Sequence, residues 1–358
     1  RLTPRIEGET VPAGDMAPDK DKTLPPEDGM APGEVESEVV DPQLEAARAA
    51  RRTKAVFCFV HIERTAGTTL SRVLAHNWSS YVTVHHFSWP HESGNVFSAE
   101  EAAKLFKLFK KIKAFGGHST RSDLGYQDAI GQPVEYLTFL RKPVDRYVSH
   151  FNTLRVEMGK QWTYNDFLGE RRFDNWMTKR IAGVDDVELA KRRLHQQFSF
   201  VGLTERFDES LVILRQALRI PEFKIPYEVE KKSTNGDYMV LERDVDKRAA
   251  ALEHNQLDIG LYSYAQKLYE ARKKLIRGNL MLEADDLQRQ CIGFSYPRSA
   301  RAKWSAFRIF GHGPALVGLR KLHHSGAEFG WPRPPPGPDL SYLDEEEDEE
   351  ENGAGEQA

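Results

Sequence analysis

The chain has 358 residues, of which 40% are hydrophobic, so it can bury a sizeable core in one large domain or two small ones. It contains no run of 18 apolar residues, which excludes a transmembrane helix. Its only two cysteines, Cys58 and Cys291, lack the spacing of metal ligands and give no basis for predicting a disulfide. The net charge of −4 hides a strong segregation of charge along the chain.

The two ends are acidic and the middle is basic. Residues 1–50 hold 12 acidic and 5 basic residues, and residues 339–358 hold 10 acidic and none that is basic. The intervening 51–338 therefore carries 45 basic against 32 acidic residues, a net charge of +13. Such a body attracts polyanions, among them nucleotides, nucleic acid and anionic polysaccharide. A lysine-rich, solvated surface is the alternative explanation.

The composition also predicts three segments. Residues 1–50 are rich in Pro, Gly, Glu and Asp, and we expect a disordered linker or stem. Residues 51–330 form the expected folded domain. Residues 331–358 run from "WPRPPPGPD" into "LDEEEDEEENGAGEQA", which predicts a stiff proline-rich stretch followed by a solvated acidic tail.

Strand and helix patterns alternate through the middle of the chain. Residues 54–61, 134–141 and 198–203 read as strands. Helices are predicted at 68–78, 98–112 (where Ser98 and Glu101 form a capping box), 143–158 (with Pro143 at the first position), 207–219 and 261–280. This alternation predicts an α/β domain around a mostly parallel sheet.

The first candidate anion site is the loop between the first strand and the first helix of that domain. Loop amides and a helix N-terminus converge there and favour a phosphate. Arg64 and the threonines add side-chain donors, and small residues let a ligand approach the backbone. The alternative is an ordinary turn capped by threonine. The loop reads Glu63-Arg64-Thr65-Ala66-Gly67-Thr68-Thr69.

The second candidate anion site is "FLRKPVDRYVSHF", residues 139–151. Arg141 ends a strand, where α/β sheets bind ligands. Ser149 lies on the following helix about 140° from Val144, off its apolar stripe. Together Arg141 and Ser149 can hold one phosphate, unless they are a surface ion-pair residue and a plain exposed serine.

These two motifs resemble those of carbohydrate sulfotransferases, especially the Golgi heparan sulfate 2-O- and 6-O-sulfotransferases. "HIERTAGTTL" is similar to their 5′-phosphosulfate loop, and "LRKPVDRYVSHF" is similar to their 3′-phosphate motif. "NWMTKRIAG", "FVGLTERFDESL" and "HNQLDIGLYSYA" follow in family order. The resemblance spans roughly residues 55–270.

The resemblance implies a P-loop-NTPase-like three-layer domain, in which a mostly parallel central sheet is flanked by helices. It implies transfer of a sulfuryl group from 3′-phosphoadenosine 5′-phosphosulfate to a hydroxyl of a glycosaminoglycan-like polysaccharide, without a metal and without nucleic acid. It assigns the cofactor to residues 64–69 with Arg141 and Ser149. One departure is Arg64, which stands where the family has lysine. Because the pKa of arginine is above 12, we expect Arg64 to act as an electrostatic clamp only.

The resemblance further implies a type II membrane protein of the Golgi lumen. The chain begins with Arg1 rather than methionine, and we expect the anchor to be missing from it. A cytoplasmic bacterial relative is the alternative, because two cysteines give no sign of an oxidising compartment. The sequence leaves the oligomeric state open.

His118, in "FGGHSTRSDL", is the candidate base that takes the proton of the acceptor hydroxyl. It resembles a histidine that the 2-O enzymes carry shortly before their 3′-phosphate strand; the alternative is a structural histidine. His85, His86 and His91 are further candidates, without the spacing of a metal site. Glu63 is a weaker candidate, and His61 is expected to support the loop.

For the acceptor we expect an aromatic and basic rim, with each residue also explicable by packing or surface position: Trp89, Arg121, Arg155, Lys160 and Trp162. Two other functions stay open. A P-loop phosphotransferase lacks support because the Walker lysine and a Mg²⁺-holding carboxylate are missing. The best support for a non-catalytic polyanion-binding protein on the same fold is the arginine at position 64.

Overall fold

Five parallel strands form a single sheet at the centre of the protein. The computed structural model describes residues 42–51, 54–84, 96–157, 161–220, 222–229 and 245–315. Within them the strands are β1 (Val56–Val60), β2 (Val82–Thr83), β3 (Ala114–Gly117), β4 (Val134–Leu140) and β5 (Phe198–Leu203). Their spatial order is β2-β3-β1-β4-β5, and every neighbouring pair is parallel. The prediction of an α/β domain with a mostly parallel sheet is confirmed.

Helices flank this sheet and connect its strands. The first seven are α1 (Pro42–Arg51), α2 (Gly67–Asn77), α3 (Ala99–Leu108), α4 (Tyr126–Ile130), α5 (Pro143–Asn152), α6 (Tyr164–Leu168) and α7 (Trp176–Ala182). The next six are α8 (Val187–Gln196), α9 (Phe207–Leu218), α10 (Val245–Glu253), α11 (Gln256–Lys274), α12 (Leu280–Cys291) and α13 (Arg298–Ala306). A π-helical segment, Phe307–His312, follows α13.

The central strands are buried at every residue, as expected when helices cover a parallel sheet. "VFCFV" of β1 and "VEYLTFL" of β4 are accordingly near-continuous apolar runs rather than alternating ones. Two residues of β4 depart from this pattern, Glu135 and Thr138, and Thr138 donates its hydroxyl hydrogen to the backbone oxygen of Val60 at 2.9 Å. β1 is thus fixed against β4 by a side chain as well as by the ladder.

The local signals for helix starts are confirmed. Ser98 and Glu101 form the predicted capping box of α3, and Pro143 occupies the first turn of α5 after Lys142 as N-cap. Helix ends were harder to place. The helix predicted at 98–112 ends at Leu108, and the one predicted to 158 changes to π-helical geometry at Thr153–Glu157.

Two predicted boundaries are wrong. The helix expected at 261–280 ends at Lys274. The next helix, α12, begins at Leu280, after Gly278 with a φ of 95° and after Asn279, whose side chain accepts from the Leu282 amide. The expected linker 1–50 ends in ordered structure, since α1 covers Pro42–Arg51. Its Arg48 is 2% exposed and donates to the backbone oxygen of His195 at 2.9 Å.

The chain divides into two units, Arg1–His312 and Gly313–Ala358. The sheet and all the helices named above belong to the first unit. Of the second unit only residues 313–315 lie within the described ranges, so the predicted proline-rich stretch and acidic tail fall outside them, as do residues 1–41. Among the described helices, none combines the length and apolar character needed to span a bilayer.

The strand order decides where a ligand can sit. The chain passes from β1 to β2 and β3 on one side, and later places β4 and β5 on the other. Open α/β sheets bind ligands in the crevice that such a reversal leaves at the carboxyl ends of the strands. The loops after β3, β1 and β4 therefore share one edge, and these loops carry His118, Arg64 and Arg141.

Candidate functional site

The loop after β1 is built from strained backbone. Arg64 and Ala66 adopt left-handed conformations, with φ angles of 67° and 62°. The hydroxyl of the fully buried Thr65 donates to the backbone oxygen of Ile62 at 2.9 Å, so that hydroxyl stabilises the loop itself. Ala66 is the N-cap of α2 and forms no side-chain cap. The turn capped by threonine is thus not what forms, because the N-cap position is an alanine.

Gly67 makes room for a protein side chain. A Cβ atom placed on Gly67 would lie 1.8 Å from Cδ2 of His61. The His61 ring stacks between Phe59, with ring centroids 5.3 Å apart, and His118, with centroids 3.9 Å apart. The sequence predicted that Ala66 and Gly67 admit a ligand to the backbone. The His61 ring fills the space beside Gly67, so His61 contacts the loop as the sequence predicted. The binding of a ligand by the backbone of Ala66 and Gly67 stays a prediction.

Helix α5 is buried on both of its faces. The apolar stripe packs into an aromatic cluster that includes Tyr147, Phe151, Phe167 and Phe173. The opposite face is polar and equally inaccessible, because Arg146, Ser149 and His150 are only 0%, 4% and 3% exposed. Ser149 is therefore not the plain exposed serine that the sequence left as an alternative. Three polar residues buried on one helix face show that this face packs against other parts of the protein and is not a solvated surface.

The two candidate anion sites meet. Nε of Arg64 donates to Oγ of Ser149 at 3.0 Å, although the two residues are 85 positions apart. Nη1 of Arg141 donates to the backbone oxygen of Arg64 at 3.3 Å. The loop after β1 thus contacts both α5 and the segment just before it, and Arg64 and Arg141, which make these contacts, are partly exposed. Thr68 is exposed and Thr69 is partly exposed at the start of α2.

More positive charge lies behind this edge. Arg146 is fully buried, its Nη1 lies 3.4 Å from Nδ1 of His150, and its Nε and Nη2 lack a hydrogen-bond partner among the described residues. Burial lowers the pKa of His150 to about 3, and the charge of Arg146 acts in the same direction. His150 is therefore neutral near pH 7. Among the charges around Arg146, the buried carboxylate of Asp258 does most to stabilise its ionised form. That carboxylate accepts hydrogen bonds from the amides of Met177 and Thr178.

His118 follows β3, as predicted, and its side chain is 30% exposed. Its Nδ1 lies 3.2 Å from the backbone oxygen of His61 and 3.2 Å from Oε1 of Glu63. Nη2 of Arg180, on α7, donates to the backbone oxygen of His118 and, at 3.2 Å, to that of Thr120. The candidate base is thus held by its ring and by its backbone.

Glu63 is the carboxylate at the centre of this arrangement. Burial raises the pKa of its carboxyl, but the charge and hydrogen bond of His118, the charge of Arg180 and the hydrogen bond of Trp176 outweigh burial. Its pKa consequently lies well below its usual range. Nε1 of Trp176 donates to Oε2 of Glu63 at 2.5 Å. A carboxyl held ionised in this way is a poor proton acceptor near pH 7.

The predicted acceptor rim is only partly described. Trp89, Lys160, His85, His86 and His91 lie outside the described residues. Arg121 contacts Asp123 through both Nε and Nη2, so an acceptor anion would have to displace that carboxylate. Arg155 lies over the Phe151 ring, with Cζ 5.7 Å from the centroid, and Trp162 packs against the aromatic cluster of α5. Packing accounts for these two positions.

Other ligand sites have little support. Among the described residues, no group of three or more His, Cys, Asp or Glu side chains could hold a metal. A cavity of about 210 Å³ beside α2 is lined by residues that include Arg72, His76, Tyr296 and Trp304. None of the predicted site residues lines it.

Sequence reasoning missed four functional candidates: Arg146, His150, Trp176 and Arg180. Arg146 and His150 flank Ser149 on α5, at the helical spacing that places them on the face of Ser149. Trp176 and Arg180 are four positions apart on α7 and point to the same side, towards Glu63 and His118. The signal that could have found them is the helical spacing within "PVDRYVSHF" and "NWMTKRIAG", which places the two residues of each pair on one helix face.

No family model matches this chain, and neither does any curated protein.

Proposed function

We propose that this chain is a sulfotransferase with a P-loop-like three-layer fold. It moves the sulfuryl group of 3′-phosphoadenosine 5′-phosphosulfate to a hydroxyl of an anionic, glycosaminoglycan-like polysaccharide. The observation that carries the proposal is the hydrogen bond from Arg64 to Ser149. Two anion-binding elements that touch each other suit a nucleotide with phosphates at both its 5′ and 3′ positions.

The charge balance supports an anionic ligand of this kind. Within the part of the chain that the structure describes, four arginines lie at the site, Arg64, Arg141, Arg146 and Arg180, together with the buried carboxylates Glu63 and Asp258. An excess of fixed positive charge in a partly desolvated pocket is costly until an anion binds. Arginine also binds phosphate and sulfate oxygens in bidentate fashion. The uncapped start of α2 adds backbone amides to the same anion site.

The reaction needs positioning and charge stabilisation more than covalent chemistry. The acceptor oxygen forms a bond to sulfur as the bond from sulfur to the bridging oxygen of the 5′-phosphate breaks. The electron pair of the broken bond stays on that phosphate oxygen, where Arg64 neutralises it. The acceptor hydroxyl proton passes to Nε2 of His118. The products are a sulfate ester, adenosine 3′,5′-bisphosphate and a protonated His118.

The first test is nucleotide binding by isothermal titration calorimetry. We expect adenosine 3′,5′-bisphosphate to bind without metal and at least about tenfold more tightly than adenosine 5′-monophosphate, because a phosphate-to-arginine hydrogen bond is worth about 1.5–3 kcal/mol. Arg141→Gln should abolish this preference. Lys142→Gln removes the same charge one residue away and should keep it. Equal or tighter binding of ATP with Mg²⁺ would instead favour a phosphotransferase.

The second test is sulfate transfer from a labelled donor to a panel of polysaccharides, followed by disaccharide analysis. We expect transfer to at least one glycosaminoglycan-like acceptor, and its loss in His118→Ala while nucleotide binding persists. Binding of the bisphosphate without transfer to any acceptor would leave a non-catalytic polyanion-binding protein.

For the cellular site we propose the Golgi lumen, with a cytoplasmic bacterial protein as the alternative.

A further inference from the structure

Glu63 is placed to control the candidate base rather than to act as one. Its Oε1 lies 3.2 Å from Nδ1 of His118, and its Oε2 accepts the indole hydrogen of Trp176 at 2.5 Å. The two carboxylate oxygens are therefore used by different partners. The backbone contact from Arg180 fixes the segment that carries His118.

The contacts of His118 decide which of its nitrogens is basic. Nδ1 faces two acceptors, the Glu63 carboxylate and the backbone oxygen of His61, at 3.2 Å each. A ring nitrogen that faces acceptors carries the proton, so the lone pair of the neutral ring is on Nε2. The His61 ring, stacked at 3.9 Å, limits the orientation of the His118 ring. A carboxylate behind Nδ1 also stabilises the positive charge that forms when Nε2 accepts a proton.

We infer that Glu63, held by Trp176, is a positioning residue that sets the tautomer and orientation of His118 and stabilises its protonated form during transfer. The inference rests on the proposed function, in which His118 takes the acceptor proton. Trp176 acts one step further back, by keeping Oε1 of Glu63 directed at Nδ1. Neither residue touches the reacting atoms in this assignment.

The charged and titratable groups around Glu63 come from several elements. His118 follows β3, Arg180 lies on α7, Arg64 is the next residue of its own loop, and Arg146 and His150 face it from α5. Most of these groups are cationic, which keeps the carboxylate ionised. Trp176 is a neutral donor, so it orients the Glu63 carboxylate without adding charge.

The kinetic test compares two variants with a matched control. Glu63→Gln keeps the shape and the acceptor oxygen but removes the charge, and we expect kcat to fall about 10- to 100-fold while the Kd of adenosine 3′,5′-bisphosphate stays within about twofold. Glu63→Asp should recover part of the loss. Trp176→Phe should lower kcat about tenfold. Trp78→Phe is the matched control and should leave kcat unchanged, because the Trp78 ring stacks on Phe57 away from the site. Unchanged kcat in Glu63→Gln would overturn the inference.

A second measurement does not depend on activity. The ¹³C signal of the Glu63 carboxyl is followed by NMR as a function of pH in the wild type, His118→Ala, Trp176→Phe and Trp78→Phe. We expect Glu63 to protonate well below the usual range in the wild type, and at higher pH in His118→Ala and Trp176→Phe only. An identical titration in all four proteins would show that the three groups are not coupled. If the titrations shift as expected but no sulfate transfer is found, the coupled group stands and the proposed function falls.

Discussion

The two sides of the candidate pocket are built in opposite ways. The loop 63–69 after β1 holds its groups with irregular backbone, in which Arg64 and Ala66 have positive φ angles. Helix α5 holds Arg146, Ser149 and His150 with regular helical geometry, and it buries their polar face. The loop offers backbone amides and the helix offers side chains. The hydrogen bond from Arg64 to Ser149 joins the two sides.

The two sides differ in the source of their unfavourable free energy. Left-handed conformations cost about 1–2 kcal/mol for each non-glycine residue, so the loop carries strain in its backbone. The helix is unstrained but carries buried polar groups, whose cost lies in desolvation. An anion bound between the two sides would offset the desolvation cost, but it would leave the backbone strain unchanged. Changing the pH, the volume of a side chain or the freedom of the backbone should therefore affect the stability of the two sides differently.

On the helix side, the largest expected effect is on acid stability. Since the folded-state pKa of His150 is about 3 and its usual value is 6.5, the unfolded chain takes up this proton more readily than the folded protein. The stability contributed by neutral His150 is complete above about pH 6.5 and is lost as the pH falls towards 3. At pH 4.5 the loss amounts to about 3 kcal/mol.

The measurement is urea unfolding from pH 8 to pH 4.5 for the wild type and for His150→Gln, which cannot take up a proton. The wild type should lose about 3 kcal/mol more than the variant over this range. The difference between the two proteins at pH 8 serves as the internal reference. Parallel pH profiles would mean that His150 is hydrated, and that the helix side does not carry the desolvation cost assigned to it.

On the loop side, Gly67→Ala should destabilise the protein by about 2 kcal/mol, because the new Cβ would lie 1.8 Å from the His61 ring. The His61 ring is itself stacked on His118, so it cannot move without disturbing the candidate base. Gly169→Ala is the matched control, since its Cβ would meet nothing closer than 3.5 Å at a helical φ of −67°. Thermal unfolding measures both. Equal stability in the two variants would show that the loop side is not tightly packed.

Sequence reasoning found the helix side more completely than the loop side. Periodicity placed Ser149 away from the apolar stripe, and Pro143 marked the start of α5. It did not show that the polar face is also buried, because burial of that face depends on the loop after β1, 85 positions away from Ser149. In the loop, the small residues predicted close approach of a ligand to the backbone, but they did not predict the positive φ angles of Arg64 and Ala66. Such conformations are imposed by tertiary contacts and leave no local signal.

The same limit applies to the base. The position of His118 after a short strand was predicted, but Arg180 contacts its backbone oxygen from α7, 62 residues further along the chain. From the same helix Trp176 donates to Glu63, the carboxylate that faces His118. Likewise, the helical pattern of 261–280 continued across Gly278, where the backbone turns. Elements and single candidates were readable from local pattern. The partners that fix them were not, because long-range contacts set them.

The bond between the two sides is tested by Ser149→Ala. Removing the hydroxyl takes away the acceptor of Arg64 and one proposed contact to the nucleotide, which should weaken binding of adenosine 3′,5′-bisphosphate by about 1 kcal/mol, or about fivefold. Thr153→Ala is the control, because its hydroxyl donates to the backbone oxygen of Ser149 one turn away. Calorimetric titration gives both values. A loss in both variants, or in neither, would separate Ser149 from the binding of the nucleotide.

The smallest expected effect is a gain in stability from Ala66→Gly. Ala66 has a φ of 62°, which costs an alanine about 1–2 kcal/mol and a glycine almost nothing. Glycine loses about 0.5–1 kcal/mol more backbone entropy on folding, so the net gain should be about 0.5–1 kcal/mol in chemical denaturation. Thr68→Gly, two residues on in the first turn of α2, has no such strain to relieve and should destabilise instead. If Ala66→Gly also destabilises the protein, the backbone of the loop is not strained. The two sides of the pocket would then differ in their chemistry but not in the source of their unfavourable free energy.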